Sequence, residues 1–123
     1  MNGSLQRMIV KQKGLQGRIA PKIMDFGEAG GCDRQMFFLK ENANGLVHEA
    51  SEAVNALPWK MHKADFGRSI TKEERDNFIE ETIDCLHFVI NMFLGVGVES
   101  EEEIEALFFG KNDVNHDRWD HGY

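Results

Sequence analysis

Between Asn77 and Gly97 the chain reads NFIEETIDCLHFVINMFLGVG. At about 100° per residue, its apolar positions cover most of a helical circumference, from Phe78 and Ile79 through Leu86, Val89 and Ile90 to Phe93 and Leu94. A helix apolar nearly all round is buried on nearly all sides. Two acids interrupt it. Glu81 and Asp84 are three apart and share a face, with Phe88 projecting between them. Buried acids need a partner, because an unpaired buried charge is very costly.

The rest of the chain follows the same helical period. LQRMIVKQKGLQGRI, from Leu5 to Ile19, is a first helix with a rough stripe of Leu5, Met8, Ile9, Leu15 and Ile19, ending before Pro21. Gln12 and Gln16 lie four apart on it and read as solvent-exposed. Residues 22–33 carry Gly27, Gly30 and Gly31 and read as a loop. A second helix spans Arg34 to Leu57 and is stopped by Pro58. Leu46, Val47, Ala50, Ala53, Val54 and Leu57 form its apolar stripe, and Glu49 and Glu52 lie along the flank.

Residues 58–70 form a polar connection bearing Trp59, Lys60, His62, Lys63 and Arg68. Thr71 with Glu74 has the form of a capping box and starts the central helix, which Gly95 and Gly97 end. Ser100 with Glu103 opens a last helix, and the acids after Ser100 suit its positive N-terminus. The tail from Gly110 to Tyr123 is too aromatic for a frayed end, and is expected to fold over a site. No alternating apolar pattern of useful length appears. The expected fold is all-α, a bundle of four to five helices in a single domain, 1–123, with residues 110–123 as a functional tail.

Composition narrows the function. A chain of 123 residues supports one core. The formal net charge of −7 argues against a nucleic-acid surface. With that charge, a phosphate ligand needs metal ions to bridge it to the acids. Cys32 and Cys85 make no disulfide framework, and Cys85 reads as a small apolar filler. Neither a leader-like apolar run nor a membrane span is visible, so a cytoplasmic location is expected.

The chemistry lies in two acid pairs, Glu49 with Glu52 and Glu81 with Asp84. If their helices pack side by side, four carboxylates converge and require cations. All-oxygen ligation favours Mg²⁺ or Mn²⁺ over zinc. A di-iron carboxylate site is the competitor, since His48 and His87 are near in sequence. It is the weaker reading, because the first acid helix has no Glu-x-x-His.

ExxE on one helix and ExxD on the next is similar to the signature of the MazG-like all-α nucleoside triphosphate pyrophosphatases. LVHEASEAVNALPWKMHK, EETIDCLHFVINMFLGVG, KNDVNHDRWDHGY and QKGLQGRI resemble segments of the dimeric dUTPases of phage and bacterial type. The resemblance covers nearly the whole chain. It implies that Glu49, Glu52, Glu81 and Asp84 hold Mg²⁺ and carry the catalysis. It implies that Lys111, Asn115 and Arg118 hold phosphates, that Gln12 and Asn55 read the base or sugar, and that Trp59 and Lys60 close the pocket. It implies hydrolysis of dUTP to dUMP and pyrophosphate by a homodimer or a dimer of dimers. The alternatives are a relative acting on dCTP or other nucleotides, and a non-enzymatic helical interaction domain. Gln16 and Trp119 depart from the family pattern, in the base and tail regions.

Overall fold

The computed structural model describes residues 3–19 and 31–122. They form four helices: α1 (Ser4–Ile19), α2 (Gly31–Asn55), α3 (Lys72–Gly95) and α4 (Glu101–Asp120). No strand occurs among the described residues. The all-α expectation therefore holds. α2 begins at Gly31, before the expected Arg34. Pro21 and most of the expected glycine-bearing loop lie outside the described residues. No described helix is long and apolar enough to cross a membrane.

Helices α2 and α3 form an antiparallel pair. Gln35 Nε2 donates to the Gly95 carbonyl at 2.9 Å. Further along, Asn91 Nδ2 donates to Asn42 Oδ1 at 2.8 Å. Beyond that, Gly45 lies against the Phe88 ring, where an added Cβ would meet ring carbon at 2.5 Å. Gly45 thus admits an aromatic ring where any other residue would exclude it.

The seam differs from the stripe expected on α2. Phe38, Asn42 and Ala53 are buried, while Val47 is 67% exposed and Val54 is also exposed. The seam runs through Phe38, Asn42, Gly45, Glu49 and Ala53, which share one helical face. Glu49 therefore stands in the seam and not on the flank of the apolar stripe. Apolar count alone pointed to the wrong face, because Gly45 and Asn42 are seam residues without apolar side chains. α3 also shows more surface than its composition implies: Ile79, Ile83 and Leu86 are exposed in the single chain.

Helix α1 packs on α3 through Ile9, Ile90 and Leu94, with Leu5 and Ile104 at the edge. Its N-terminus is closed from a distance. The Glu101 carboxylate accepts from Gly3 N at 3.0 Å and from Gln6 N at 2.9 Å. Gln6 Oε1 accepts in return from Glu101 N at 2.8 Å. These bonds satisfy N–H groups that a helix start leaves without partners. Of the acids expected to cap α4, Glu101 thus caps α1 as well. Ser100 Oγ accepts from Glu103 N, as its spacing implies.

The tail departs most from expectation. It continues α4 as helix to Asp120, with no buried residue anywhere in α4. Gly110 does not break it, since one interior glycine costs only about 1 kcal/mol and no proline follows. Within the single chain α4 packs near its start, against α1.

Candidate active site

Carboxylate oxygens of Glu49, Glu52 and Glu81 lie within 4.8 Å of one another. α2 supplies the first two from successive turns and α3 the third. Gly45, one turn before Glu49, receives the Phe88 ring, and the ring fixes how closely the two acid helices approach. The Glu81 carboxyl is held above its ordinary value. A hydrogen bond with Glu49 is the largest cause, followed by burial and by repulsion from Glu49 and Asp84. Glu81 Oε2 is enclosed and meets no hydrogen-bond partner among the described residues. Asp84 stands outside the close trio but within electrostatic reach of Glu81.

The two neighbouring histidines lean on these acids. His48 Nε2 is 3.0 Å from Glu52 Oε1, and His87 Nδ1 is 3.9 Å from Asp84 Oδ1. Both are largely exposed. Burial, with the surrounding acids, pushes the Cys85 thiol up, so it stays protonated and fits its reading as a packing residue.

A second group of expected residues converges at the end of α2. Asn55, Trp59 and Lys60 line one cavity of about 530 Å³, together with Lys63. Lys60 Nζ lies 5.9 Å from the centre of the Trp59 ring, within cation–π range. The connection that carries them is anchored by Arg68, whose guanidinium forks onto Glu74 with two 2.8 Å bonds. That fork and the Thr71 cap bring the Glu74 carboxyl down to about 2. Arg68 is therefore committed to the start of α3, while Lys60 and Lys63 face the cavity.

Gln12 overturns its reading as a solvent-exposed residue. It is buried, and its Nε2 donates to Asn91 Oδ1 at 2.8 Å. It also lines a cleft of about 650 Å³ between α1 and α3, with Met8, Leu15, Ile83, His87 and Ile90. Lys111, Asn115 and Arg118 share one face of the exposed half of α4. That half is not brought to the acid trio within one chain. Asn42 and Asn91, both buried, were missed by reading apolar periodicity. The available signal was their spacing: Asn42 lies seven before Glu49 and Asn91 seven after Asp84, two turns along the same faces.

A family model described as dUTPase matches residues 4–102. The chain belongs to the dUTPase family. The family is all-α, as are the described residues of this chain. The match contains both acid pairs, the cavity residues and Gln12, and stops before Lys111, Asn115 and Arg118. The dCTP pyrophosphatase of Enterobacteria phage T4 is 38% identical over 72 residues, covering 53% of this chain and 42% of that protein. The chain thus matches well under half of that relative's length. No solved structure matches.

Proposed function

We propose that this member of the family hydrolyses dUTP to dUMP and pyrophosphate, using Mg²⁺ held by Glu49, Glu52, Glu81 and Asp84, with Mn²⁺ as a substitute. One observation carries the reading: three carboxylates converge and the enclosed Glu81 Oε2 meets no partner among the described residues. A cation would satisfy that oxygen, and an all-oxygen donor set suits Mg²⁺. Bound there, the ion supplies charge neutralisation on phosphate oxygens and acidifies water.

The chain's own residues supply the rest. Glu49 or Glu52 takes the proton from the attacking water, as general base. The water oxygen bonds to one of the two phosphorus atoms of the α–β anhydride, that anhydride bond breaks, and the phosphate group on its other side leaves with the electron pair. Trp59 and Lys60 wall the nucleotide, and Asn55 and Gln12 read base or sugar. Lys111 offers a point charge and Arg118 a guanidinium fork for phosphates. In this reading the chain is a homodimer or dimer of dimers, and α4 of a second copy brings those cations to the acids.

The phage T4 relative is a dCTP pyrophosphatase, and that favours a second reading, with dCTP as substrate. Pyrophosphate release from dUTP, dCTP, dTTP, dATP and dGTP, with and without Mg²⁺, tests both. Release from dUTP above the others supports the first reading, and preference for dCTP supports the second. No release from any nucleotide overturns both and leaves a helical interaction domain.

A further inference from the structure

A chain of buried amides crosses the three packed helices. Asn42 Nδ2 donates to the Phe38 carbonyl at 2.7 Å. Asn91 Nδ2 donates to Asn42 Oδ1 at 2.8 Å, and Gln12 Nε2 donates to Asn91 Oδ1 at 2.8 Å. The three residues are 8%, 2% and 6% exposed, so water does not compete for these bonds.

The direction of the chain is set at one end. A backbone carbonyl can only accept. Asn42 must therefore turn its amine end to Phe38, which leaves its oxygen for Asn91. Asn91 must then donate to Asn42, which leaves its own oxygen for Gln12. Gln12 must turn its amine end inward. A flip of any member would set oxygen against oxygen or nitrogen against nitrogen. Amide orientation is ordinarily free to follow its surroundings, and here a single carbonyl on α2 fixes it on α1.

Gln12 also lines the cleft between α1 and α3. With its amine end committed to Asn91, the carbonyl oxygen is the other arm of its amide. The cleft shares His87 with the acid site, since His87 contacts Asp84. The amide chain lies about 10 Å along the helix axes from the acids, two turns away on both α2 and α3. A nucleotide whose phosphates meet the acids and whose base points along the helices toward Asn42 would bring that base to Gln12.

We propose that Asn42 and Asn91 are positioning residues that hold Gln12 Oε1 as a hydrogen-bond acceptor for an N–H on the pairing edge of a pyrimidine. The inference rests on the nucleotide reading above. The matching group is the ring N3–H of uracil or the exocyclic amine of cytosine. Both are donors, so the polarity of the amide chain suits either. It rejects a base that offers only an acceptor at that point.

Asn91→Asp and Asn91→Leu separate polarity from packing. Aspartate still accepts from Gln12 Nε2, so Gln12 keeps its orientation although the link to Asn42 is lost. Leucine releases Gln12 to turn either way. The readout is the ratio of kcat/KM for the preferred nucleotide to that for its blocked analogue: N3-methyl-dUTP for dUTP, or N4,N4-dimethyl-dCTP for dCTP. The wild type should discriminate by at least about 10²-fold, as sites built to hydrogen-bond a substrate N–H do. Asn91→Asp should keep that ratio, and Asn91→Leu and Asn42→Ala should each lower it at least tenfold. Gln12→Met should abolish it. Slow exchange of the Gln12 side-chain amine protons by NMR, lost in Asn91→Leu, reports the polarity without turnover. An unchanged ratio in Asn91→Leu, or equal losses in Asn91→Asp and Asn91→Leu, overturns this inference alone. A wild type that hydrolyses no nucleotide overturns the activity reading, and this one with it.

Discussion

Glu81 and Glu49 face each other across the α2–α3 seam, and the nearness of Glu49 is the main reason that the Glu81 carboxyl is held above its ordinary value. Such a pair is stable only when protonated or when a cation stands in for the proton. The sign of its contribution to stability follows. Glu81 has a raised pKa in the folded chain, so its stabilisation is full below the ordinary carboxylate value of 4.5 and is lost as pH rises through the raised value. Glu74 behaves in the opposite way. Its carboxyl sits at about 2, so its stabilisation is present above 4.5 and is lost as pH falls toward 2. With chelator present, the Glu81 contribution should therefore lower the melting temperature as pH rises above 4.5, and the Glu74 contribution should lower it as pH falls below 4.5. Melts from pH 3 to pH 8 measure this, and a curve rising steadily to neutral pH would contradict it.

Glu81→Gln removes the repulsion without changing size. It should flatten the neutral-side decline and raise the melting temperature of the metal-free protein. It should also abolish stabilisation by Mg²⁺ and lower turnover by orders of magnitude. Melts and pyrophosphate release on one preparation measure both effects. A variant both more stable and still fully active would remove Glu81 from the metal site.

Asp84 tests the outer edge of the same site. It stands apart from the close trio yet adds to the field on Glu81. Asp84→Asn keeps size and removes charge. Turnover should fall by orders of magnitude with the helix content unchanged. Near-wild-type turnover would restrict the metal ligands to Glu49, Glu52 and Glu81.

Gly45 makes a prediction about spacing. An added Cβ there would come within 2.5 Å of the Phe88 ring, whereas at Gly14 nothing among the described residues lies within 4 Å. Gly14→Ala should stabilise α1 by roughly 0.5–1 kcal/mol, the usual gain of alanine over glycine in a helix. Gly45→Ala should instead cost about 1–3 kcal/mol, as overpacking does. It should lower activity too, because the ring spaces the acid helices. Chemical denaturation of both variants decides it, and equal gains would show that Phe88 moves aside freely.

The starts of α3 and α4 were legible because caps are local. Thr71 and Glu74 form the reciprocal box their spacing implied. Asn55, Trp59 and Lys60 are near in sequence and share a cavity, so a short segment announced them. The seam on α2 was harder to read, because small and polar residues fill it: Gly45 to admit a ring, and Asn42 to bond another amide. Such roles depend on the opposing helix and leave no periodic signal of their own. The tail misled for the converse reason. Its aromatic residues implied a folded cover, but no local signal distinguishes a cover from an exposed helix.

The last prediction concerns that helix. In the single chain Leu107, Phe108, Phe109, Val114 and Trp119 are all exposed, with Trp119 at 75%. α2 and α3 in turn present an apolar hollow of about 670 Å³, lined by Leu39, Leu46, Val89, Met92 and Phe93. A chain showing both an exposed apolar helix and an apolar hollow leaves patches that mark interfaces. A twofold dimer is the commonest way to cover them. Light scattering at micromolar concentration should therefore give at least twice the 14.0 kDa of one chain. Trp119→Lys with Phe108→Lys should weaken assembly and turnover together, and turnover should recover as protein concentration is raised. A monomer that is stable and fully active at nanomolar concentration would show that one chain completes its own site, and Lys111 and Arg118 would then have no route to the acids.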